Sequence, residues 1–268
     1  MKLYKNIATN RTFILIKLSF SVLLVCICLS GCNHKPSLRE EVLALKKEWG
    51  FMFPLPSEND SINLMSIQME KSYFNFEFAR MDSLANKILS IDSTFYGALS
   101  FQAFGQWPFD LEKLKLAKIY SQKDTTVHRL IFDGDYSYWI ENDTIAALKQ
   151  YTEVYRRYPD SKIAAWLAGM ASLWSKDYQM AIFYYKRSLE TDPKFYHAYY
   201  DLGDTHLEKK DFRSAIENFK EFLKYYPSKY RIHSVIGDAY ISLNDSANAK
   251  KHYNMADSLK NLRSRSRP

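Results

Sequence analysis

Apolar residues return every three or four positions along most of the chain, which is the period of one face of an α-helix. The segment 37–50 follows this pattern and is predicted to form one helix. The proline-containing segment 51–61 is predicted to be a loop. From residue 62 onward, helical spacing alternates with short polar turns. The pattern predicts an all-α chain without a β-sheet.

The C-terminal half of the sequence repeats with a period of 34 residues. A shift by 34 superposes Gly169, Gly203 and Gly237, and three further columns follow the same shift. These columns hold alanine, an aromatic residue and proline: Ala147, Ala181, Ala215 and Ala249; Tyr151, Tyr185, Phe219 and Tyr253; Pro159, Pro193 and Pro227. Because four columns agree on one period, the sequence indicates a protein built from one recurring unit.

Each column has a physical reason within a pair of antiparallel helices. Small residues such as Gly203 and Ala215 allow two helices to cross closely. Pro227 is expected to follow the end of a helix, because proline cannot donate the next backbone hydrogen bond. A further column of aspartates is predicted to cap the second helix of each pair by accepting hydrogen bonds from free backbone N–H groups. Its members are Asp143, Asp177, Asp211 and Asp245.

The period and the residue types resemble the tetratricopeptide repeat (TPR). The resemblance implies an all-α, TPR-type helix-pair solenoid, that is, a right-handed superhelix of antiparallel helix pairs. Gly134 lies one position early, with Asp135 in the glycine column, and Asn261 stands where proline is expected. The predicted domains are a tether with an N-terminal helix and loop (32–61), two divergent TPR-like helix pairs (62–127), four repeats (128–161, 162–195, 196–229 and 230–263) and a basic tail (264–268).

The first 31 residues have the features of a secretory signal peptide. Residues 1–17 contain four basic residues and no acidic one, and the apolar run 18–31 is shorter than the roughly 20 residues of a membrane-spanning helix. The stretch Leu29-Ser30-Gly31-Cys32 resembles the lipobox of bacterial lipoproteins. That resemblance implies that residues 1–31 are removed and that Cys32 is acylated on its sulfur and becomes the mature N-terminus.

All three cysteines lie between positions 26 and 32, so a metal clip and a redox motif are the alternatives to a lipid anchor. A zinc site needs four ligands, and His34 is the only histidine nearby. Cys26 and Cys28 belong to the segment that is predicted to be removed. We therefore expect no metal site, no cofactor and no disulfide within the mature chain.

The net charge of +7 is concentrated at the two ends of the chain. Four of the 37 lysines and arginines lie in residues 1–31 and four more lie in the last nine residues, whereas all 30 acidic residues lie between these ends. The body of the chain is therefore nearly neutral. It has no basic patch of the kind that binds nucleic acid.

The sequence lacks the common catalytic motifs, namely the Gly-x-Ser-x-Gly elbow, the Walker loop, His-Glu-x-x-His and the dinucleotide fingerprint. We therefore predict that the protein is not an enzyme. Two other classes of function stay open. One is an enzyme with its site in the divergent segment 33–127, which a pocket with a strongly perturbed carboxylate or histidine would favour. The other is a carrier of a glycan or another small ligand.

In TPR proteins the first helix of each pair lines the concave face. The resemblance therefore implies a binding groove formed by Phe132, Tyr136, Trp139, Trp166, Met170, Trp174, Tyr200, Asp201, Asp204, Glu208 and Asp238. One half of this set is aromatic and the other is acidic, so the expected partner is a protein segment with apolar and basic residues. The alternative is that some of these rings pack against the next repeat, or against an N-terminal segment lying in the groove.

The two resemblances together imply a membrane-anchored TPR scaffold that binds protein or peptide partners in the bacterial cell envelope. Residues 33–39 contain no acidic residue. In lipoproteins, acidic residues here direct retention in the inner membrane or export to the surface. The predicted location is therefore the periplasmic face of the outer membrane.

Overall fold

The computed structural model describes residues 35–50, 52–106 and 108–265. Over these residues it contains thirteen α-helices and no β-strand, which confirms the predicted all-α fold. The helices are α1 (Leu38–Trp49), α2 (Asp60–Phe74), α3 (Phe78–Ile91), α4 (Tyr96–Phe104), α5 (Leu111–Ser121), α6 (Val127–Trp139), α7 (Thr144–Arg157), α8 (Lys162–Trp174), α9 (Tyr178–Thr191), α10 (Tyr196–Glu208), α11 (Phe212–Tyr225), α12 (Tyr230–Ser242) and α13 (Ser246–Arg265). The predicted signal peptide 1–31, Cys32 and residues 266–268 lie outside the described residues.

The chain divides into two compact units, residues 1–41 and 42–268. In the first unit the described residues 35–41 contain a helix start. The Ser37 hydroxyl accepts a hydrogen bond of 3.3 Å from the Glu40 backbone N–H, and the Glu40 carboxylate accepts one of 2.7 Å from the Ser37 backbone N–H. These reciprocal bonds form a capping box. The solenoid described below belongs to the second unit.

The helices from α2 onward form six pairs, α2/α3, α4/α5, α6/α7, α8/α9, α10/α11 and α12/α13. Each pair packs on the next one along the chain, and the first helices also touch in two places, α4 with α6 and α8 with α10. The pairs α2/α3 and α4/α5 lie in the segment that the sequence assigns to two divergent units. The first helices α2, α4, α6 and α8 line one common cavity and so share a face of the stack.

The aspartate column caps the second helices of the last four pairs, as predicted. The side chains of Asp143, Asp177, Asp211 and Asp245 accept hydrogen bonds of 2.9, 3.1, 3.2 and 3.0 Å from backbone N–H groups three residues later. The proline column also acts as predicted. Helix α11, for example, ends at Tyr225, two residues before Pro227.

The glycine column marks the point where the two helices of a pair cross. A Cβ atom at Gly203 would lie 2.6 Å from the Phe219 ring, which no side chain accommodates without a shift. The early glycine of the first repeat has the same role, because a Cβ at Gly134 would lie 2.7 Å from the Tyr151 ring. The shift by one position therefore keeps the crossing and places the next residue, Asp135, beside that tyrosine.

The first helix pair returns to the fourth and fifth pairs and closes one side of the stack. The Phe74 ring at the end of α2 lies 5.4 Å from the Trp166 ring and 5.1 Å from the His197 ring. The carbonyl oxygen of Phe74 accepts hydrogen bonds from the Tyr196 hydroxyl and from His197 Nε2, the latter at 2.7 Å. An N-terminal segment therefore packs against Trp166, one of the predicted groove residues.

Candidate ligand-binding groove

The eleven predicted groove residues all lie on first helices, namely α6, α8, α10 and α12. The structure divides them by exposure. Phe132 and Trp166 are buried, with 3% and 8% of their surface exposed, and both pack within the chain, whereas Trp139 is 48% exposed. Trp174 stacks on Tyr138 at 3.5 Å between ring centroids. The exposed rings are therefore fewer than the sequence suggests.

A central cavity of about 310 Å³ opens on the face formed by the first helices. Its walls come from α2, α4, α6 and α8 and from the loop that follows α4. Seven of its lining residues are aromatic, namely Tyr73, Phe74, Phe101, Phe104, Phe109, Trp139 and Trp166. Two carboxylates, Glu70 and Asp135, also line it. The central cavity is thus an apolar, aromatic space that contains two acids.

Both carboxylates of the central cavity are held by ring donors. Trp49 Nε1 donates a hydrogen bond of 3.0 Å to Glu70, and the Tyr151 hydroxyl donates one of 2.6 Å to Asp135. Burial raises the pKa of Glu70 to about 7, although the Trp49 bond and nearby Lys162 lower it in part. Burial likewise raises the pKa of Asp135 to about 6, against the effect of the Tyr151 bond.

A side cavity of about 290 Å³ lies next to the central cavity and shares Glu70, Asp135 and Ser100 with it. It also contains Phe132 and Ser66. The Ser66 hydroxyl oxygen is buried and has no hydrogen-bond partner among the described residues. Glu70 and Asp135 therefore line both the central and the side cavity.

A distal cavity of about 590 Å³ continues the groove toward α10 and α12 and shares Tyr73 and Trp166 with the central cavity. It contains Asp201, which accepts a hydrogen bond of 2.5 Å from Trp166 Nε1. Burial raises the pKa of Asp201 to about 7. It also raises the pKa of the neighbouring Asp204 to about 6.

The structure brings six of the predicted groove residues to these cavities: Trp139, Trp166 and Met170 to the central one, Phe132 to the side one, and Trp166, Tyr200 and Asp201 to the distal one. The other five, Tyr136, Trp174, Asp204, Glu208 and Asp238, line none of the three. Asp238 is exposed and accepts a hydrogen bond of 2.6 Å from the Tyr253 hydroxyl. The acidic half of the predicted groove therefore reaches the cavities through Asp201 alone.

Sequence reasoning missed Glu70 and the phenylalanines of the divergent pairs. These residues lie in helices whose repeat register is weak, so no column identifies their inward face. Asp135 had a usable signal, because it directly follows the repeat glycine as Asp204 and Asp238 do. Among the described residues there is no group of three or more His, Cys, Asp or Glu side chains that could hold a metal ion. No helix among those residues is both long and apolar enough to span a bilayer.

Comparison with known families and structures agrees with this architecture. A family model described as tetratricopeptide repeat matches residues 137–194 and 200–261. The chain therefore carries tetratricopeptide repeats in its C-terminal half, and its fold is the TPR helix-pair fold. None of the curated proteins matches the chain.

Three solved structures illustrate the similarity of fold. PilW, described as a type IV pilus biogenesis factor, is 16% identical with a TM-score of 0.51 over 72% of this chain and 91% of PilW. A MamA double mutant (RS-1 ArsTM) is 20% identical with a TM-score of 0.51 over 60% of this chain and 89% of that chain. The APC/C hetero-tetramer Cut9–Hcn1 is 14% identical with a TM-score of 0.57 over 83% of this chain and 45% of that chain. At these identities the similarity concerns the fold alone.

Proposed function

We propose that this protein is a scaffold that binds segments of partner proteins on its inner face and is held at a bacterial membrane by lipid on Cys32. The central cavity is the observation that carries the proposal. It is open, nearly half of its lining residues are aromatic, and its walls come from the first helices. Aromatic residues provide most of the binding energy at protein interfaces.

The membrane part of the proposal rests on the sequence. The lipobox-like stretch ends at Cys32, six positions before helix α1 begins at Leu38. Acylation there would tether the solenoid close to the bilayer, since each buried methylene contributes about 0.8 kcal/mol to membrane binding. We place the protein on the periplasmic face of the outer membrane.

A second candidate function is catalysis by Glu70 and Asp135, because a general acid needs a pKa near the working pH and both carboxylates meet that condition. Binding is the better-supported function. The bond from Tyr151 to Asp135 recurs as the bond from Tyr253 to exposed Asp238. A hydrogen bond that recurs in different repeats belongs to the architecture of the solenoid rather than to one catalytic centre.

Site-specific crosslinking tests the scaffold proposal. A photoreactive phenylalanine analogue at Trp139, at the rim of the central cavity, is expected to capture partner protein in intact membranes. Phe183 is the matched control, because it is also aromatic and also 48% exposed but lies on a second helix and lines none of the three cavities. Equal crosslinking from both positions, or none from Trp139, would overturn the proposal.

A further inference from the structure

We infer that the central cavity receives a lysine or arginine side chain of the bound segment, with its cationic group between Glu70 and Asp135. The inference rests on the proposed scaffold function and names the part of the partner that this cavity selects. It is carried by the shape of the cavity, by the charge of its two acids and by the hydrogen-bonding groups that face its interior.

The walls of the central cavity suit the apolar stem of such a side chain. Tyr73, Phe101 and Trp139 present ring surface toward the space, and lysine and arginine carry three or four methylene groups that pack on such surfaces. A cation over an aromatic ring gains further electrostatic energy, most of all where water is excluded.

The two carboxylates of the central cavity can bind a cation supplied by a partner. Neither Glu70 nor Asp135 forms an ion pair with any residue that the structure describes. The nearest candidate is Lys162, whose Nζ atom lies 2.8 Å from Asp192 and 4.2 Å from the centroid of the Trp49 ring. Lys162 therefore acts on Glu70 only through space, since its Nζ atom donates a hydrogen bond to Asp192. A partly buried carboxylate without a paired cation is costly to ionise, and a bound cation reduces that cost.

Two serine hydroxyls that line these adjoining cavities are able to accept hydrogen bonds. The Ser100 hydroxyl already donates to the Gly97 carbonyl at 2.8 Å, so its oxygen is left to accept. The Ser66 oxygen has no partner in the described part of the chain. Ammonium and guanidinium groups only donate hydrogen bonds, and they match a space whose lining includes two carboxylates and two hydroxyl oxygens that can accept them.

The simplest structural role for the two acids is to hold the Trp49 and Tyr151 rings. Glutamine at 70 and asparagine at 135 keep an oxygen that accepts the same two hydrogen bonds, and they remove only the charge. Glu70→Gln and Asp135→Asn therefore separate a structural role from recognition of a cation. Asp133→Asn is the matched control, since Asp133 lies on the same helix, is paired with Lys118 and Arg129, and lines none of the cavities.

The test is selection from a library of capped heptapeptides by the purified protein, followed by affinity measurement on the selected peptides. The native protein is expected to enrich arginine or lysine at one position beside an apolar residue. Replacing that arginine by citrulline, which has the same shape without the charge, is expected to weaken binding by about 30-fold or more. Glu70→Gln with Asp135→Asn should weaken the arginine peptide equally, and Asp133→Asn should leave it unchanged.

Three results would overturn the inference: a selection without a preferred basic position, a double variant that still prefers arginine over citrulline, or free butylguanidine binding as tightly as the selected peptides. The last result would identify the cavity as a site for small organic cations. The scaffold proposal is tested separately from the cation site. If the double variant still crosslinks partner protein from Trp139, the groove binds a segment and only the cation site is wrong.

Discussion

The Tyr151 hydroxyl donates a 2.6 Å hydrogen bond to Asp135, the residue that directly follows the glycine beneath the Tyr151 ring. In the last repeat, Tyr253 makes the same 2.6 Å bond to Asp238. One tyrosine thus fixes the crossing of two helices with its ring and orients an acid of the inner face with its hydroxyl. The repeat that builds the fold also positions a charge of the groove.

The fourth helix pair lacks this acid, because Met170 follows its glycine and the buried Tyr185 hydroxyl has no partner among the described residues. We predict that Tyr185→Phe leaves the free energy of unfolding unchanged or raises it, since it removes an unsatisfied buried polar group. Tyr151→Phe should lower it by about 1–3 kcal/mol, because Asp135 loses its donor. Denaturant unfolding measures both variants. A greater loss for Tyr185→Phe would contradict the assignment.

Stability is expected to rise as the pH falls from 8 to about 6.5. Burial raises the pKa values of Glu70 and Asp201 to about 7, above those of the unfolded chain, so the folded state binds more protons in this window. Below pH 6.5 two partly buried histidines oppose the gain, because burial lowers the pKa of His197 to about 4 and that of His128 as well. Thermal unfolding across this range measures the effect.

Removal of the two acids provides the control for this pH dependence. In the double variant Glu70→Gln, Asp201→Asn, the melting temperature should change less between pH 6.5 and 8 than it does in the native protein. Glu153→Gln is a matched charge change at a surface acid whose pKa is lowered to about 2 by Arg156 and Arg157, and it should leave this slope unaltered. A native protein that is more stable at pH 8 than at pH 6.5 would refute the explanation.

Much of the solenoid follows from the sequence, because its determinants lie close together along the chain. Asp211 caps a helix through an N–H only three residues away, and Gly203 meets Phe219 within the same pair. Contacts of this length recur in each repeat. Such contacts therefore appear in the sequence as a repeat of 34 residues.

The central cavity does not follow from the sequence, because it depends on a contact made once. Phe74 meets His197 across more than 120 positions of the chain, and this contact brings Glu70 to the inner face of the repeats. A single long-range contact leaves no periodic trace. For the same reason the sequence offers the burial of Trp166, on which Phe74 packs, only as one of two alternatives.

Phe76 is predicted to hold the first helix pair against the fifth. Its φ of 59° is one that a bulky side chain adopts at a cost, and the equivalent turn of the fourth pair has Lys176 at 61°. The Phe76 ring lies 5.1 Å from His197 and 3.8 Å from the Lys229 ammonium. Because Phe76→Asn removes these contacts, amide exchange in α2 should quicken about tenfold.

Lys176→Asn is the control for Phe76→Asn, because it places asparagine at the same backbone angle in a turn where no aromatic contact is lost. Exchange in α2 should be unchanged in this control, and exchange in α13 should be unchanged in both variants. Slower exchange in α2 of Phe76→Asn would mean that relief of backbone strain outweighs the lost packing, and the closing role of Phe76 would be wrong.

The lipid anchor is predicted to depend on Cys32 alone. Cys28 lies four residues earlier, inside the segment that processing is expected to remove, so the two cysteines differ in fate although both are close to the same site. Cys32→Ser should abolish labelling by radioactive palmitate and leave an unprocessed precursor. Cys28→Ser should retain both the label and the processing, since serine is tolerated in a short apolar run that already contains it.

Palmitate incorporation into Cys32→Ser would show that the lipobox interpretation is wrong. If protease added to intact cells digests the protein, the predicted periplasmic orientation is wrong. That result does not bear on acylation of Cys32.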